Sequence, residues 1–303
     1  MEEQGLQYLV KLAKKKKFLL DHYPFHYLIR AMLASIYAGF VIVSCFKIGG
    51  YFFEAGSPAA YLAGSIYFGV ALVLIIYGGA ELFTGNTMYF TIAAMRKEVT
   101  VIDTLKNWAA CYAGNLLGAI VFAFLFAATG LFAHLPNDHY IQYVSEYKMN
   151  ATTLQLFVKG IFCNWLVCLA VFLPTQFKNE GAKLFVIMAT VFLFFSSGFE
   201  HSIANFVLFG IALTAPHPDT VSIAGAFHNL IPVTLGNIVG GSVFVGMLYQ
   251  YLSVSNQAYE EADKKMDKKE TSELHPMVQE KNHTFLNKPL TIIKNFRLSK
   301  PKI

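Results

Sequence analysis

The sequence predicts an all-α polytopic membrane protein whose six transmembrane helices form an inverted 3+3 repeat. Three observations predict it. Of 303 residues, 55% are hydrophobic and only 14% charged, where a soluble domain carries about 25% charged residues. The few charges are segregated: the runs Trp108–Ala133 and Thr220–Leu252 contain none, and each exceeds the roughly 20 apolar residues that cross a bilayer as a helix. Finally, two polar interruptions recur at a fixed offset, the mark of an internal duplication.

Residues 1–29 are polar and basic, so no cleavable signal pattern is expected and they read as a cytoplasmic N-terminal segment. Residues 30–252 form the transport domain, with spans expected at 31–48, 58–95, 107–134, 155–177, 184–210 and 225–252. Lys11, Lys14 to Lys17, Arg96, Lys97, Lys106, Lys178, Lys183 and the lysine-rich tail fall on alternate loops. The opposite loops carry Lys47 and Lys148, with Lys159 entering the fourth span. The positive-inside rule then makes both termini cytoplasmic, in agreement with an even span count. The net charge of +5 reports topology, and no nucleic acid partner is expected. Residues 253–303 read as a cytoplasmic, largely disordered tail whose basic end, interleaved with apolar residues, is suited either to solvent or to an anionic leaflet. Cys45, Cys111, Cys163 and Cys168 all fall within spans and form no CxxC pair. They read as packing residues, and neither a metal site nor a cofactor is expected.

The second and fifth spans are the unusual ones. "GGAELFTGNT" (78–87) puts Glu81 into a stretch with no other charge between Glu54 and Arg96. "SSGFEHSIAN" (196–205) does the same with Glu200 between Lys183 and Asp219. At an offset of 119, Gly79, Glu81 and Asn86 fall on Gly198, Glu200 and Asn205; at an offset of 122, Asn107, Gly114, Asn115 and Gly118 fall on Asn229, Gly236, Asn237 and Gly240. Halves of about 30–134 and 150–252 follow. Three spans per half invert the second copy in the membrane, and paired discontinuous helices in inverted repeats are a transporter signature with the site between the breaks. Non-helical backbone at that depth belongs in a cavity or in buried protein.

The polar residues at the breaks are the candidate machinery. His201 is an ionisable group within a span, a functional position by default, with Glu200 and Ser202 beside it. Thr84 is its counterpart in the first break, able to bond either an oxyanion or the imidazole. Leu82, Phe83 and Phe194 are apolar residues that narrow a pore. Glu81 and Glu200 are expected to be structural, accepting hydrogen bonds that hold the breaks together with Gly79, Asn86, Gly198 and Asn205. The glycines of spans three and six read as small-xxx-small packing pairs. Without paired NPA motifs an aquaporin is disfavoured, and with no nucleophile–base pair or metal cluster an enzyme is disfavoured too.

"AELFTGNT", "NWLVCLAV", "SGFEHSIANF" and "NLIPVTLGNIVGG" resemble the signature segments of the formate/nitrite transporter family, from about Lys14 to Leu252. The resemblance implies an aquaporin-like protomer with spans two and five broken, and a homo-pentamer with one pore per protomer in the inner (plasma) membrane. The implied substrate is a small weak-acid anion, formate first, then nitrite, hydrosulfide or lactate, moving with a proton. It implies that His201 is the central pore histidine and Thr84 the threonine of the mobile loop. Leu82, Phe83, Phe194 and Val167 become constriction residues, and Asn229 a polar pore residue. Lys148 becomes the outer-vestibule lysine. The inner lysine falls among Lys14 to Lys17, here assigned to Lys17.

Overall fold

The structure is a computed structural model, and it describes residues 2–255 and 259. Residues 2–253 belong to one compact unit. The tail expected to be disordered and basic lies outside the described residues.

An N-terminal helix, α1 (Glu2–His22), precedes the first apolar helix. It buries Leu6, Leu9, Val10 and Ala13, the i, i+3, i+4, i+7 stripe of an amphipathic helix, against Met88, Phe90 and Ile92. The expected polar segment 1–29 is thus a docked helix, because its apolar stripe has a hydrophobic surface to cover. Pro24 at the first position starts α2 (Pro24–Glu54), where the missing amide costs nothing. Then follow α3 (Ala60–Ser65), α4 (Gly69–Tyr77), α5 (Phe83–Met95), α6 (Val101–Ala127), α7 (Tyr140–Met149), α8 (Thr153–Phe172), α9 (Glu180–Ser196), α10 (Ser202–Thr214) and α11 (Ile223–Gly241). The chain continues helically to Ser255 through a π-helical turn over Ser242–Met247. Reciprocal capping boxes fix the starts of α6 (Thr100 with Asp103) and α8 (Thr152 with Gln155).

Where the sequence predicts six spans, five helices among the described residues are long and apolar enough to cross a membrane. They are Pro24–Glu54, Ala60–Tyr77, Val101–Ala127, Thr153–Gln176 and Ile223–Ser255. The stretch 184–210, expected as a broken span, is split into α9 and α10, of 17 and 13 residues. The split has a local cause that also ends α4. Gly79 and Gly198 have φ of 67° and 71°, a left-handed conformation that costs glycine little. At each, the backbone closes as a Schellman motif: Gly79 and Ala80 N–H donate to Ile76 and Ile75 carbonyls, and Gly198 and Phe199 N–H to Phe195 and Phe194 carbonyls.

The small residues of α6 and α11 pack as expected. A Cβ on Gly114 would lie 2.5 Å from Ala31 Cβ, and one on Gly118 would strike the Met32 carbonyl of α2. On α11, Gly236 and Gly240 press on the Phe157 and Ile161 carbonyls of α8. The four cysteines are free and buried.

Candidate functional site

Each interruption leaves backbone groups unpaired inside the fold, and an asparagine collects them. Asn115 of α6 donates to the Ala31 carbonyl at 2.7 Å and the Glu81 carbonyl at 2.9 Å, and accepts from Phe83 N–H at 3.0 Å. Asn237 of α11 donates to the Gly160 carbonyl at 2.8 Å and the Glu200 carbonyl at 2.9 Å, and accepts from Ser202 N–H at 2.9 Å. Glu81 N–H donates to the Arg30 carbonyl, and Glu200 N–H to the Lys159 carbonyl. Asn86 donates to Asn107 and Glu81, as Asn205 does to Asn229 and Glu200. The paired positions read from the sequence therefore make paired bonds.

Both break carboxylates are also ion-paired. Lys148 Nζ lies 2.9 Å from Glu200 Oε2, with side chains 13% and 2% exposed. Lys16 Nζ pairs with Glu81. Lys17, the residue assigned as the inner lysine, is engaged by Asp21 at 2.5 Å and Asp103 at 3.1 Å. The lysine that meets the first break is Lys16, one position earlier, because the apolar stripe of α1 turns that face of the helix toward α5.

The N-terminal ends of α5 and α10 meet through Thr84 and His201. Leu82 and His201 occupy the same position, each the residue before its half-helix, with φ of −110° in both. His201 is 8% exposed. Its Nδ1 accepts the Ala204 N–H at 3.0 Å, and its Nε2 lies 2.9 Å from Thr84 Oγ1. A ring nitrogen that accepts an amide carries no proton. The neutral ring therefore holds its proton on Nε2 and donates it to Thr84. Two half-helix N-termini also place positive dipole ends here, which favours negative charge.

Three cavities line up along this region. A vestibule of about 450 Å³ is walled by α1 and the first break, with Lys15, Lys16, Arg30 and Glu81 as its charged residues. Leu72, Ile75 and Leu82 separate it from a second cavity of about 30 Å³, apolar apart from His201 and including Val167 and Phe194. Phe194, His201 and Ala204 in turn border a third, of about 20 Å³, which also touches Lys148 and Asn205. The two small cavities each have room for one or two waters at most.

Leu82, Val167 and Phe194 line the narrow middle cavity. Phe83 lines none of the three and packs edge-on against Tyr112 at 4.9 Å. Asn229 is turned away as well, donating to the Lys148 carbonyl at 2.9 Å. Ser202 contributes its N–H to Asn237, and its buried hydroxyl has no partner among the described residues. Asn164 is a polar residue in an apolar span that the sequence reading left without a role. It donates to the Thr84 carbonyl, Thr87 Oγ1 and the Asn237 carbonyl, tying both halves together.

A family model described as "Formate/nitrite transporter" matches residues 3–251. The chain belongs to that family. It is 50% identical over 253 residues to the uncharacterized transporter YwcJ of Bacillus subtilis (strain 168), covering 84% of this chain and 99% of that one. It is 36% identical over 230 residues to the nitrite transporter NirC of Escherichia coli (strain K12), covering 75% and 84%. A solved structure titled a pentameric formate channel with formate bound superposes with a TM-score of 0.65 at 30% identity, covering 76% of this chain and 97% of that one. Membership of the formate/nitrite transporter family makes the chain an integral membrane transport protein and not an enzyme.

Proposed function

We propose that this protein passes a small monovalent weak-acid anion together with a proton, formate being the first candidate. The observation that carries the reading is the run of three cavities past Leu82, Phe194 and His201. A bare anion in the apolar middle cavity loses hydration worth several kcal/mol or more. The neutral acid loses far less, so protonation before the narrow segment makes passage feasible. The proton comes from water, because protonating His201 Nδ1 would break its bond to the Ala204 amide. His201 instead donates through Nε2, exchanging Thr84 for the substrate oxygen.

Nitrite is the second reading, favoured by the 36% identity to a nitrite transporter; it shares formate's bent, two-oxygen form. Lactate fits the small cavities worst. The full architecture is proposed as six spans in inverted halves, 30–134 and 150–252, in a homo-pentamer of the plasma membrane with both termini cytoplasmic. Matched bonds at the two breaks support the repeat. So does the 2.8 Å contact between Tyr112 and Thr234, equivalent positions at the offset of 122, since a residue can meet its own equivalent only near a two-fold axis.

The test is uptake of radiolabelled formate into proteoliposomes from about pH 5 to about pH 8, with nitrite and lactate as competitors, for wild type and His201→Phe. Uptake should rise as pH falls and collapse, or lose its pH dependence, in the variant. Equal uptake by both proteins removes His201 from the mechanism, and no uptake of any small anion by folded wild type refutes the functional reading.

A further inference from the structure

The middle cavity is walled by matched residues of the two halves. At the offset of 119, Leu72, Ile75 and Leu82 fall on Val191, Phe194 and His201. Helices α2 and α8 match as well: the carbonyls of Arg30 and Lys159 accept the N–H of Glu81 and Glu200. The next carbonyls, of Ala31 and Gly160, accept from the side chains of Asn115 and Asn237. That register, an offset of 129, places Ala38 on Val167. All eight of these residues line the one cavity of about 30 Å³. A space walled by both members of each pair lies where the two halves converge.

Three of the pairs set one large side chain against another. The fourth does not, because Ala38 lacks the two methyl groups that Val167 carries. Ala71 and Ala204 also line the cavity, but their equivalents at the offset of 119, Thr190 and Gly85, do not, so neither stands at the convergence. The helices behind have no room to withdraw. A Cβ on Gly39 would lie 2.5 Å from the Phe122 ring of α6, and Gly118 of α6 abuts the Met32 carbonyl. Behind α8, Gly236 and Gly240 of α11 press on the Phe157 and Ile161 carbonyls. In so close-packed a setting the width of the cavity is decided by side chains and not by helix position. Room for one or two waters remains because position 38 holds alanine.

We propose that Ala38 determines substrate size: with Val167 it forms a filter at the centre of the pore that passes acids of three non-hydrogen atoms, such as formic or nitrous acid, and rejects those bulkier by a methyl group, such as acetic acid. A fixed apolar pocket distinguishes one such group by about 10–200-fold. Leu82, Phe194 and His201 close the two ends of the cavity, and the Ala38–Val167 pair sets what fits between them.

This inference rests on the weak-acid passage proposed above and deepens it. Uptake of radiolabelled formate and of acetate into proteoliposomes is compared for wild type, Ala38→Val, Val167→Ala and the double variant. Wild type should favour formate about ten-fold or more. Ala38→Val should lower formate uptake about ten-fold, since two methyl groups enter a space with room for one or two waters. Val167→Ala should admit acetate and reduce the preference to about two-fold. The double variant exchanges the two side chains and conserves volume, so formate uptake should return to within about three-fold of wild type. Variants that merely damaged the fold would be worse in combination. Equal uptake of both anions by wild type, undiminished formate uptake in Ala38→Val, or a double variant no better than Ala38→Val overturns the inference. Should Ala38→Val not fold, Val167→Ala decides: a reduced preference for formate supports the filter, and an unchanged one overturns it. If folded wild type takes up neither anion the functional reading fails. The filter is then judged by vesicle swelling in formamide and acetamide, the neutral amides of the same two acids. Entry of formamide alone, lost in Ala38→Val, supports it; entry of both or of neither overturns it.

Discussion

Replacing Lys148 by Met would separate the structural role of its ion pair from any attraction for substrate. The pair is buried, with Glu200 2% and Lys148 13% exposed and 2.9 Å between the charges. Removing the lysine leaves a carboxylate in the fold whose remaining side-chain donor is Asn205, at 2.7 Å. Breaking one side of a buried pair costs about 3–5 kcal/mol. The Asn205 bond, and the option of protonation, put this case near 3 kcal/mol. For a chain of this size each kcal/mol lowers the melting temperature by about 2–4 °C, so Lys148→Met should melt roughly 6–12 °C below wild type.

The double variant Lys148→Met, Glu200→Gln removes both charges while a neutral amide oxygen still accepts from Asn205. Its loss should be under about 1.5 kcal/mol, in line with the near-neutral outcome when both members of a buried pair go. The assay is thermal unfolding in detergent followed by circular dichroism, arranged as a double-mutant cycle. Coupling of about 2 kcal/mol is expected. A Lys148→Met protein that melts with wild type, or a double variant as unstable as the sum of the single ones, would refute the reasoning.

Three further expectations can be checked by similar means. Gly198→Ala forces a Cβ into φ of 71° and should cost about 1–2 kcal/mol in the same melt. Gly236→Ala drives a Cβ into the Phe157 carbonyl and should cost about 1–3 kcal/mol, whereas Gly85→Ala, which meets only Tyr89 at 3.5 Å, should leave the melt nearly unchanged. Arg96 hydrogen-bonds Glu3 at 2.8 and 2.9 Å and holds its carboxyl at about 2 against an ordinary 4.5. A depressed carboxyl pKa contributes stability that is complete above about 4.5 and drains away as pH falls toward 2. Amide-exchange protection of α1 should therefore fall across that window with a share of about 1 kcal/mol from this pair after allowance for solvent screening, and Glu3→Gln should remove that share.

The breaks were legible because polarity in a membrane span has few explanations. Glu81 and Glu200 stand alone among apolar neighbours, and the glycines beside them mark where the helix ends. The asparagines were legible through the repeat, since Asn115 and Asn237 recur at the offset of the whole half. What escaped was anything decided by which face of a helix turns inward. Lys14 to Lys17 are four consecutive lysines, so spacing alone offers four choices; only the docking of Leu6, Leu9 and Ala13 directs Lys16 to Glu81. Phe83 follows Leu82 directly, yet a half-helix sends successive side chains about 100° apart, and Phe83 turns to Tyr112 while Leu82 remains in the channel region. Lys159 was an outlier in sequence for a related reason: its equivalence to Arg30 is written in backbone bonds that no residue pattern carries.

The two halves also differ, and the difference follows from what each contact must satisfy. At the breaks the pattern is preserved down to individual carbonyls, because an unpaired buried backbone group costs about 1–3 kcal/mol and few side chains other than asparagine both donate and accept there. Behind the half-helices only volume must be conserved. A Cβ on Gly241 would strike Thr87 Oγ1, and one on Gly246 would lie 3.1 Å from Thr91 Cβ, so α5 carries the bulk and the facing span yields. That face begins the π-helical turn over Ser242–Met247, the form a helix takes when it accommodates one extra residue per turn. On α10 the arrangement is reversed: Gly210 yields, 3.1 Å from Ala123 Cβ of an unbroken α6. Hydrogen-bond demand therefore keeps the two breaks alike, and packing lets their supports diverge.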